Sequence, residues 1–256
     1  MSAFDRQRFL EALRTQRFGR SLELFARTTS SMDEARRAAA EGAPHGHLIL
    51  AEEQTEGRGS RGRRWSSPPG DDLYFSLVLR PRLAPRARPP LTLAIGLGVA
   101  TAVSAHAGVE AQVKWPNDVW LEGRKCAGVL VEATLGAAED DAVLVGVGVN
   151  VNRSRFDLEL TGATSLALAS DRPQDRVRLL AEILQACEER LEALEEGRLE
   201  QVLDELRGRL ALRQRRVRCG ALEGVLHGVA PDGALLLERG GRLERCLTGP
   251  LELAER

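Results

Sequence analysis

Gln54-Thr-Glu-Gly-Arg-Gly-Ser-Arg-Gly-Arg-Arg-Trp65 follows directly on His47 to Ala51, an apolar run with the pattern of a buried strand. The stretch therefore reads as a loop on the rim of a sheet. Gly57, Gly59 and Gly62 let the backbone bend closely around a ligand and turn N–H groups toward an anion. Arg58, Arg61, Arg63 and Arg64 add permanently charged donors suited to carboxylate and phosphate oxygens, and Trp65 offers a face for a base. The ending is not Gly-Lys-Ser/Thr, so this is no Walker A loop, and the spacing is not that of a dinucleotide fingerprint. Two readings stand: a solvated basic turn, or a loop that closes over a phosphate or carboxylate ligand.

Working outward, residues 4–17 read as a helix with Phe4, Phe9, Leu10 and Leu13 as apolar positions, followed by a strand from Leu22 to Ala26. Ser30-Ser31-Met32-Asp33-Glu34 carries capping hydroxyls and first-turn acids, a helix start that runs to about Ala40. Leu73 to Leu79 reads as a strand, and Pro89-Pro90 opens an apolar helix to about Ala107. A strand end interrupted by Pro116, a turn at Glu122-Gly123, and strands Lys125–Ala133 and Asp141–Asn152 follow. Such alternation argues for an α/β or α+β sheet domain. Val177, Leu180, Leu184, Cys187, Leu191 and Leu194 mark an amphipathic helix, and Leu199, Val202, Leu206 and Leu210 a second. From Arg216, five short strands (Val217–Cys219, Leu222–His227, Ala234–Glu238, Leu243–Leu247, Leu251–Leu253) are broken by Pro231-Asp232-Gly233 and Gly240-Gly241. They predict a small barrel and a boundary near residue 213.

A length of 256 residues allows one large domain, or a catalytic domain with a small satellite. The formal charge of −1 argues against general nucleic-acid binding. Met1 to Arg20 is charged throughout, unlike a cleavable signal, and Pro89 to Val109 reads as a core helix rather than a membrane span. Cys126, Cys187, Cys219 and Cys246 lack metal spacing, so reduced buried thiols in a cytoplasmic protein are expected. Of 36 Lys and Arg side chains only Lys114 and Lys125 are lysines, and the asparagines are Asn117, Asn150 and Asn152. In so arginine-biased a chain, these survivors point to positions where substitution is less free.

Four segments together resemble the biotin–protein ligase family: Ser30-Ser31-Met32; Gln54 to Trp65; Lys114-Trp115-Pro116-Asn117-Asp118 with Lys125 to Glu132; and Gly146-Val147-Gly148-Val149-Asn150-Val151-Asn152. The resemblance spans roughly residues 22–256. It implies an α+β fold, with an N-terminal helical extension (1–21), a mixed-sheet catalytic domain of the biotin/lipoate ligase type (22–212) and an SH3-like β-barrel (213–256). It also implies a two-step reaction. Biotin and MgATP give biotinyl-5′-AMP and pyrophosphate, and a lysine of a biotin carboxyl carrier domain then attacks the mixed anhydride.

By the same resemblance, Lys114 bridges the biotin carboxylate and the α-phosphate, and Arg58 lies at the closing loop. Ser30, Ser31, Met32, Gln54, Gly59, Ser60, Gly128 and Val129 join Arg58 and Lys114 around biotin. Arg61, Arg63, Trp65, Asn117, Asp118, Lys125 and Asn150 join Arg58 on the nucleotide side, with Asp118 a Mg²⁺ candidate. Fixed positive charge fits the chemistry, because joining a carboxylate to a phosphate brings anions together.

Each of these residues also has a plainer reading. Lys114 is otherwise a surface lysine, Asp118 a turn residue after Pro116, and Asn150 and Asn152 strand-end turn formers. Trp115 and Trp120 read as core. His45, His47, His106 and His227 carry no assigned chemistry, and Cys126 has no base beside it. Ser60 stands where many relatives carry a basic residue, Ser31 where threonine is common and Met32 where asparagine is frequent. About 21 residues precede the first strand, too few for the DNA-binding domain of some relatives, so a monofunctional ligase without DNA is expected. An exposed sheet edge offers pairing to an acceptor or to a second copy, a homodimer. The competing readings are a lipoate–protein ligase with an apolar pocket, a non-catalytic biotin sensor, and a peptide-binding module built on the barrel.

Overall fold

Successive side chains of a strand point to opposite faces of its sheet, and β7 (Val143–Val149) divides its two faces sharply. Val143, Val145, Val147 and Val149 enter the main core, whereas the opposite positions are Leu144, Gly146 and Gly148. The computed structural model describes residues 4–134 and 142–254. The expected strand start at Asp141 and the outer ends of the 1–21 and 213–256 segments lie outside these.

The main sheet also contains β1 (Leu22–Phe25), β2 (His47–Ala51), β3 (Leu73–Leu79), β4 (Ala111–Lys114), β5 (Asp118–Leu121) and β6 (Arg124–Ala133). The seven strands lie in the order β1-β2-β3-β7-β6-β5-β4. Only β1 and β2 pair in parallel, so the sheet is mixed and the fold is α+β. One face packs on α3 (Leu91–Ala107) and α5 (Arg176–Glu195), and the other carries α2 (Ser31–Ala40) over Ile49, Val78 and Leu144. The only side chain of α3 that can titrate is His106, and the helix is buried along most of its length. At Gly98 it meets α5 so closely that a Cβ would fall 2.8 Å from the Cys187 nitrogen and sulfur.

The first helix, α1 (Arg6–Ala12), is shorter than the expected 4–17. The reason is Glu188 on α5, a buried carboxylate that accepts the backbone N–H groups of Gln16, Arg17 and Phe18 at 2.6, 2.7 and 2.9 Å. Those groups cannot also serve a helix, and the turn they make drives Phe18 into the core. Phe4, Phe9 and Leu13 are buried as expected, whereas Leu10 is exposed.

A short helix, α4 (Leu166–Ser170), has no counterpart in the sequence reading; α6 (Leu199–Arg209) matches its apolar spacing. The second sheet comprises β8 (Arg216–Cys219), β9 (Leu222–Val229), β10 (Leu235–Arg239), β11 (Arg242–Cys246) and β12 (Leu251–Leu253). It is antiparallel in the order β11-β10-β9-β8-β12, as an SH3-like unit requires. Trp115, buried, joins the two sheets by donating its Nε1–H to the Gly233 carbonyl at 3.0 Å.

One expectation fails here. Cys219 and Cys246 form a disulfide between β8 and β11, while Cys126 and Cys187 remain free and buried. Folding brings together two cysteines 27 residues apart that no spacing rule pairs. Burial pushes the Cys187 thiol up to about 12 and raises that of Cys126 as well, so neither is a nucleophile.

Because a methyl at Gly98 has only the α5 backbone and the Cys187 sulfur to meet, Gly98→Ala forces α3 and α5 apart. Overpacking of this kind costs about 1–3 kcal/mol. Thermal unfolding should show a lowered midpoint; an unchanged midpoint would mean that the helix pair yields freely at this crossing.

Candidate active site

The face of the sheet away from α3 has a floor without side chains. Register partners run across five strands in one row: Tyr74 opposite Gly148, Gly148 opposite Gly128, Gly128 opposite Asp118, and Asp118 opposite Lys114. Trp65 lies on the two glycines of this row. A Cβ at Gly148 would sit 2.3 Å from the indole, and one at Gly128 3.0 Å from it. Lys125 places its ammonium 5.2 Å from the indole centre on one side and 2.6 Å from Asp118 Oδ1 on the other. Apart from that ion pair, Asp118 Oδ1 has no partner.

The loop carrying Trp65 folds back on itself. Gly59 N–H donates to the Arg63 carbonyl and Trp65 N–H to that of Gly57, both at 2.8 Å, with Arg61 left-handed at the tip (φ 60°). Gly57 has to be glycine, because a Cβ there would stand 2.5 Å from the Trp65 carbonyl oxygen. Arg58 reaches to α2 and pairs with Asp33 at 2.7 Å, and Arg63 folds onto the Ser60 carbonyl and hydroxyl.

Trp65 and Lys125, with Gly59 and Ser60, are shared by two chambers. The first, about 30 Å³, lies between α2 and the glycine floor, and is lined by Ser30, Ser31, Met32, Gln54, Arg58, Asn117, Gly128, Val129 and Gly146 among others. Its polar side is tightly arranged. Ser30 Oγ caps α2 by accepting the Met32 N–H at 3.3 Å, and Ser31 Oγ meets Ser76 Oγ at 2.9 Å. Gln54 accepts the Ser31 N–H and donates to Ser67 Oγ, each at 2.8 Å. Asn117 donates to the Val129 carbonyl at 2.8 Å. The amide of Gln54 keeps one N–H and one lone pair for a ligand, and each serine hydroxyl keeps an acceptor site.

The second chamber, about 190 Å³ and mostly apolar, is lined by Arg63, Arg64, Trp65, Asn150, Arg153, Phe156 and Leu160 among others. Asn150 donates its amide to the Thr164 carbonyl at 3.0 Å while still facing this space. Asn152 instead bridges to Gln174 and holds the chain after β7, a structural task.

Lys114 lines neither chamber. It stands at the end of the row beyond Asp118, half-buried, with its ammonium 4.7 Å from the Trp120 ring centre. Trp120 is therefore not core but a partly exposed support for that cation, because β5 turns Trp120 to the same face as Asp118. Burial lowers the pKa of Lys114 below its ordinary 10.5; Asp118 opposes the shift, and Lys125 and Arg63 add to it. Arg61 lies at the exposed loop tip, outside both linings.

A resident metal does not fit. The Asp118 carboxylate is engaged by Lys125, and among the described residues no group of three His, Cys, Asp or Glu side chains is placed to hold an ion.

Four residues that the sequence reading did not single out form a network at the second chamber: Asp72, Tyr74 and Arg153, all buried, and Ser66 on the exposed loop. Burial on its own would lower the pKa of Arg153, but Asp72 and Tyr74 outweigh it and the net shift is upward. The available signal was an arginine directly after Asn150-Val151-Asn152, and arginine is too common in this chain to mark it.

The geometry defines a two-chambered ligand site lined by cations, on a mixed sheet followed by a small antiparallel one. The sequence model of the biotin/lipoate A/B protein ligase family matches residues 24–150. The bifunctional ligase/repressor BirA of Bacillus subtilis is 32% identical over 258 residues, covering 94% of this chain and 76% of that protein. The biotin–[acetyl-CoA-carboxylase] ligase of Mycobacterium tuberculosis is 31% identical over 233 residues, covering 87% and 85%. Among solved structures, the biotin protein ligase from Aquifex aeolicus in complex with biotin and ATP superposes with a TM-score of 0.80 at 27% identity, covering 93% of this chain and all of that one. The chain belongs to the biotin/lipoate A/B protein ligase family. It spans between 56% and 76% of the length of the ligase/repressor relatives it matches. Among the described residues, no helix is long and apolar enough to cross a membrane.

Gly148→Ala inserts a methyl where the indole lies, so Trp65 has to leave the floor. Acrylamide quenching of the Trp65 fluorescence, isolated by subtracting a Trp65→Phe protein, should rise. Unchanged quenching would show that the floor tilts instead of the indole.

Proposed function

We propose that this chain is an ATP-dependent ligase that activates biotin as biotinyl-5′-AMP and transfers it to a lysine of a biotin carboxyl carrier domain. The observation that carries this reading is the pair of chambers, one with polar serine and glutamine walls and one apolar, that share the wall Trp65–Lys125. A ring with N–H and C=O groups suits the first and a purine the second, so the acid and the α-phosphate would meet at the shared wall. The similarity to a biotin protein ligase that holds biotin and ATP together supports the same arrangement.

In the first step a carboxylate oxygen of biotin attacks the α-phosphorus of MgATP, and pyrophosphate leaves with the electron pair of the broken P–O bond. In the second, the acceptor amine attacks the acyl carbon, AMP leaves, and the amine gives up a proton. Both steps concentrate negative charge, which the preorganised cations Lys114, Lys125, Arg58 and Arg63 offset with little reorganisation. Mg²⁺ enters with the phosphates as part of the substrate, Asp118 being its nearest candidate contact. Asn117 and Asn150 would complete the nucleotide side, and Ser30, Ser31, Gln54, Gly128 and Val129 the biotin side, with Met32 packing on the ring. A volume of about 30 Å³ holds roughly one water, so the loop has to lift before the acid can enter. Reclosure would then shield the anhydride from hydrolysis. Arg61, at the loop tip, would meet phosphate only on that reclosure.

Residues 22–212 would form the catalytic unit and 213–256 the SH3-like one, tied to it by the Trp115–Gly233 hydrogen bond. The serine and glutamine walls favour biotin over lipoate, whose dithiolane offers them no hydrogen bonds.

Pyrophosphate exchange with MgATP tests the reading, with biotin, lipoate and no acid compared. Biotin-dependent exchange is expected, and exchange with lipoate alone would overturn the substrate. Lys114→Ala should lower exchange by about 10²–10³-fold while calorimetry still detects biotin binding; a normal rate would remove Lys114 from the mechanism. Protonation of Lys114 supplies its charge, so exchange should fall as pH rises through its lowered pKa, on a limb below 10.5. A limb at or above that value would mean that burial leaves its ammonium untouched.

A further inference from the structure

Arg153 is a buried cation with four of its five N–H donors engaged by the protein. Its Nε donates to Asp72 Oδ2 at 2.8 Å, Nη2 to the Ser66 carbonyl at 2.9 Å and to the Tyr74 hydroxyl at 3.1 Å, and Nη1 to Ser66 Oγ at 3.3 Å. Its guanidinium carbon stands 5.2 Å from the Phe156 ring centre. Asp72, fully buried, accepts the Val151 N–H through its other oxygen at 2.8 Å. The Tyr74 hydroxyl lies 3.0 Å from both Asp72 Oδ2 and the Pro68 carbonyl.

With four of its five N–H groups engaged by the protein, this guanidinium is not free to grip a phosphate as a two-pronged fork. Its partners instead define what it holds. Ser66 follows Trp65, the wall shared by the two chambers, and Phe156 lines the second chamber together with Trp65. A planar fork can grip a backbone carbonyl, a hydroxyl and a carboxylate at once, which an ammonium cannot. An ion pair kept for stability alone would not need the contact to a loop carbonyl, since a well-packed apolar pair serves stability as well.

We propose that Arg153 is a positioning residue for the nucleotide: through Ser66 and Phe156 it fixes the two aromatic walls of the ATP-side chamber, with Asp72 and Tyr74 fixing Arg153. The proposal rests on the ligase reading and adds a determinant of ATP affinity that acts through the aromatic walls of the chamber.

The test uses Arg153→Lys, which keeps a cation beside Asp72 but loses the fork, and Tyr74→Phe, which removes one hydroxyl from the network. In biotin-dependent pyrophosphate exchange, Arg153→Lys should raise KM for ATP by about tenfold, with kcat at saturating ATP and calorimetric biotin affinity close to those of the parent. Tyr74→Phe should shift KM for ATP in the same direction by a smaller factor. An unchanged KM for ATP in folded Arg153→Lys, or a loss of biotin affinity parallel to that of ATP, would overturn the proposal. If Arg153→Lys does not fold, Tyr74→Phe decides on the same readout. If the parent protein shows no biotin-dependent exchange, the ligase reading fails. Calorimetric ATP binding to parent and variants then still decides whether Arg153 sets nucleotide affinity.

Discussion

An indole can lie flat on a β-sheet only where the sheet presents no side chains, and this structure depends on that condition. Gly128 and Gly148 are register partners, so the bare patch spans two adjacent strands and is wide enough for the Trp65 ring. The same strands cannot be glycine-rich on both faces, because a sheet without side chains has nothing to hold it on its helices. β7 resolves the conflict by placing valines at alternate positions toward α3 and α5, and leaving the glycines for the other face. Fold and site thus occupy the two faces of one strand, separated by its period of two.

Electrostatics follows from the same row. Asp118 lies between Lys114 and Lys125, pairing directly with the second and opposite the first in register. One carboxylate among two lysines and the loop arginines leaves a net positive region where burial keeps water thin. That arrangement costs stability, since like charges are held close together and Lys114 is partly desolvated. A ligand bringing several negative charges relieves the repulsion, so the site is suited to anions. Trp120 eases the burden in the free protein by offering its ring to Lys114.

Much of this was legible in the chain. The strands of both sheets and the helices α2, α3, α5 and α6 follow from apolar spacing, and nearly all residues proposed for biotin converge on one chamber. Arg61, Asp118 and Lys114 do not enter a chamber lining, because loop tip and position along the row are properties of the folded sheet. What stayed hidden has a common cause: each case is settled by a partner distant in sequence. Helix α1 does not reach residue 17 because Glu188 claims the N–H groups of Gln16, Arg17 and Phe18, and Cys219 finds Cys246 only once the second sheet has formed. Trp120 looks like core until the face of β5 is known. Arg153 is one of many arginines, and nothing local distinguishes a buried fork from a solvated one.

The two ends of the glycine/arginine loop are held by unlike interactions, and the difference sets how it can open. At the Arg58 end the tie to Asp33 joins side chains that are 43% and 32% exposed, a pair worth about 0–1 kcal/mol in water. At the Ser66 end the tie runs to Arg153, 8% exposed, whose partner Asp72 has no contact with solvent. Releasing Ser66 leaves that ion pair intact but costs the hydrogen bonds from the guanidinium, and bonds to charged groups are worth about 1.5–3 kcal/mol. The Arg58 end is therefore the weaker of the two ties. A loop freed first at Arg58 would swing about its Ser66 end and uncover the chamber under α2 while Arg153 still holds the Ser66 carbonyl. An acid could then enter and leave the first chamber without dismantling the walls of the second.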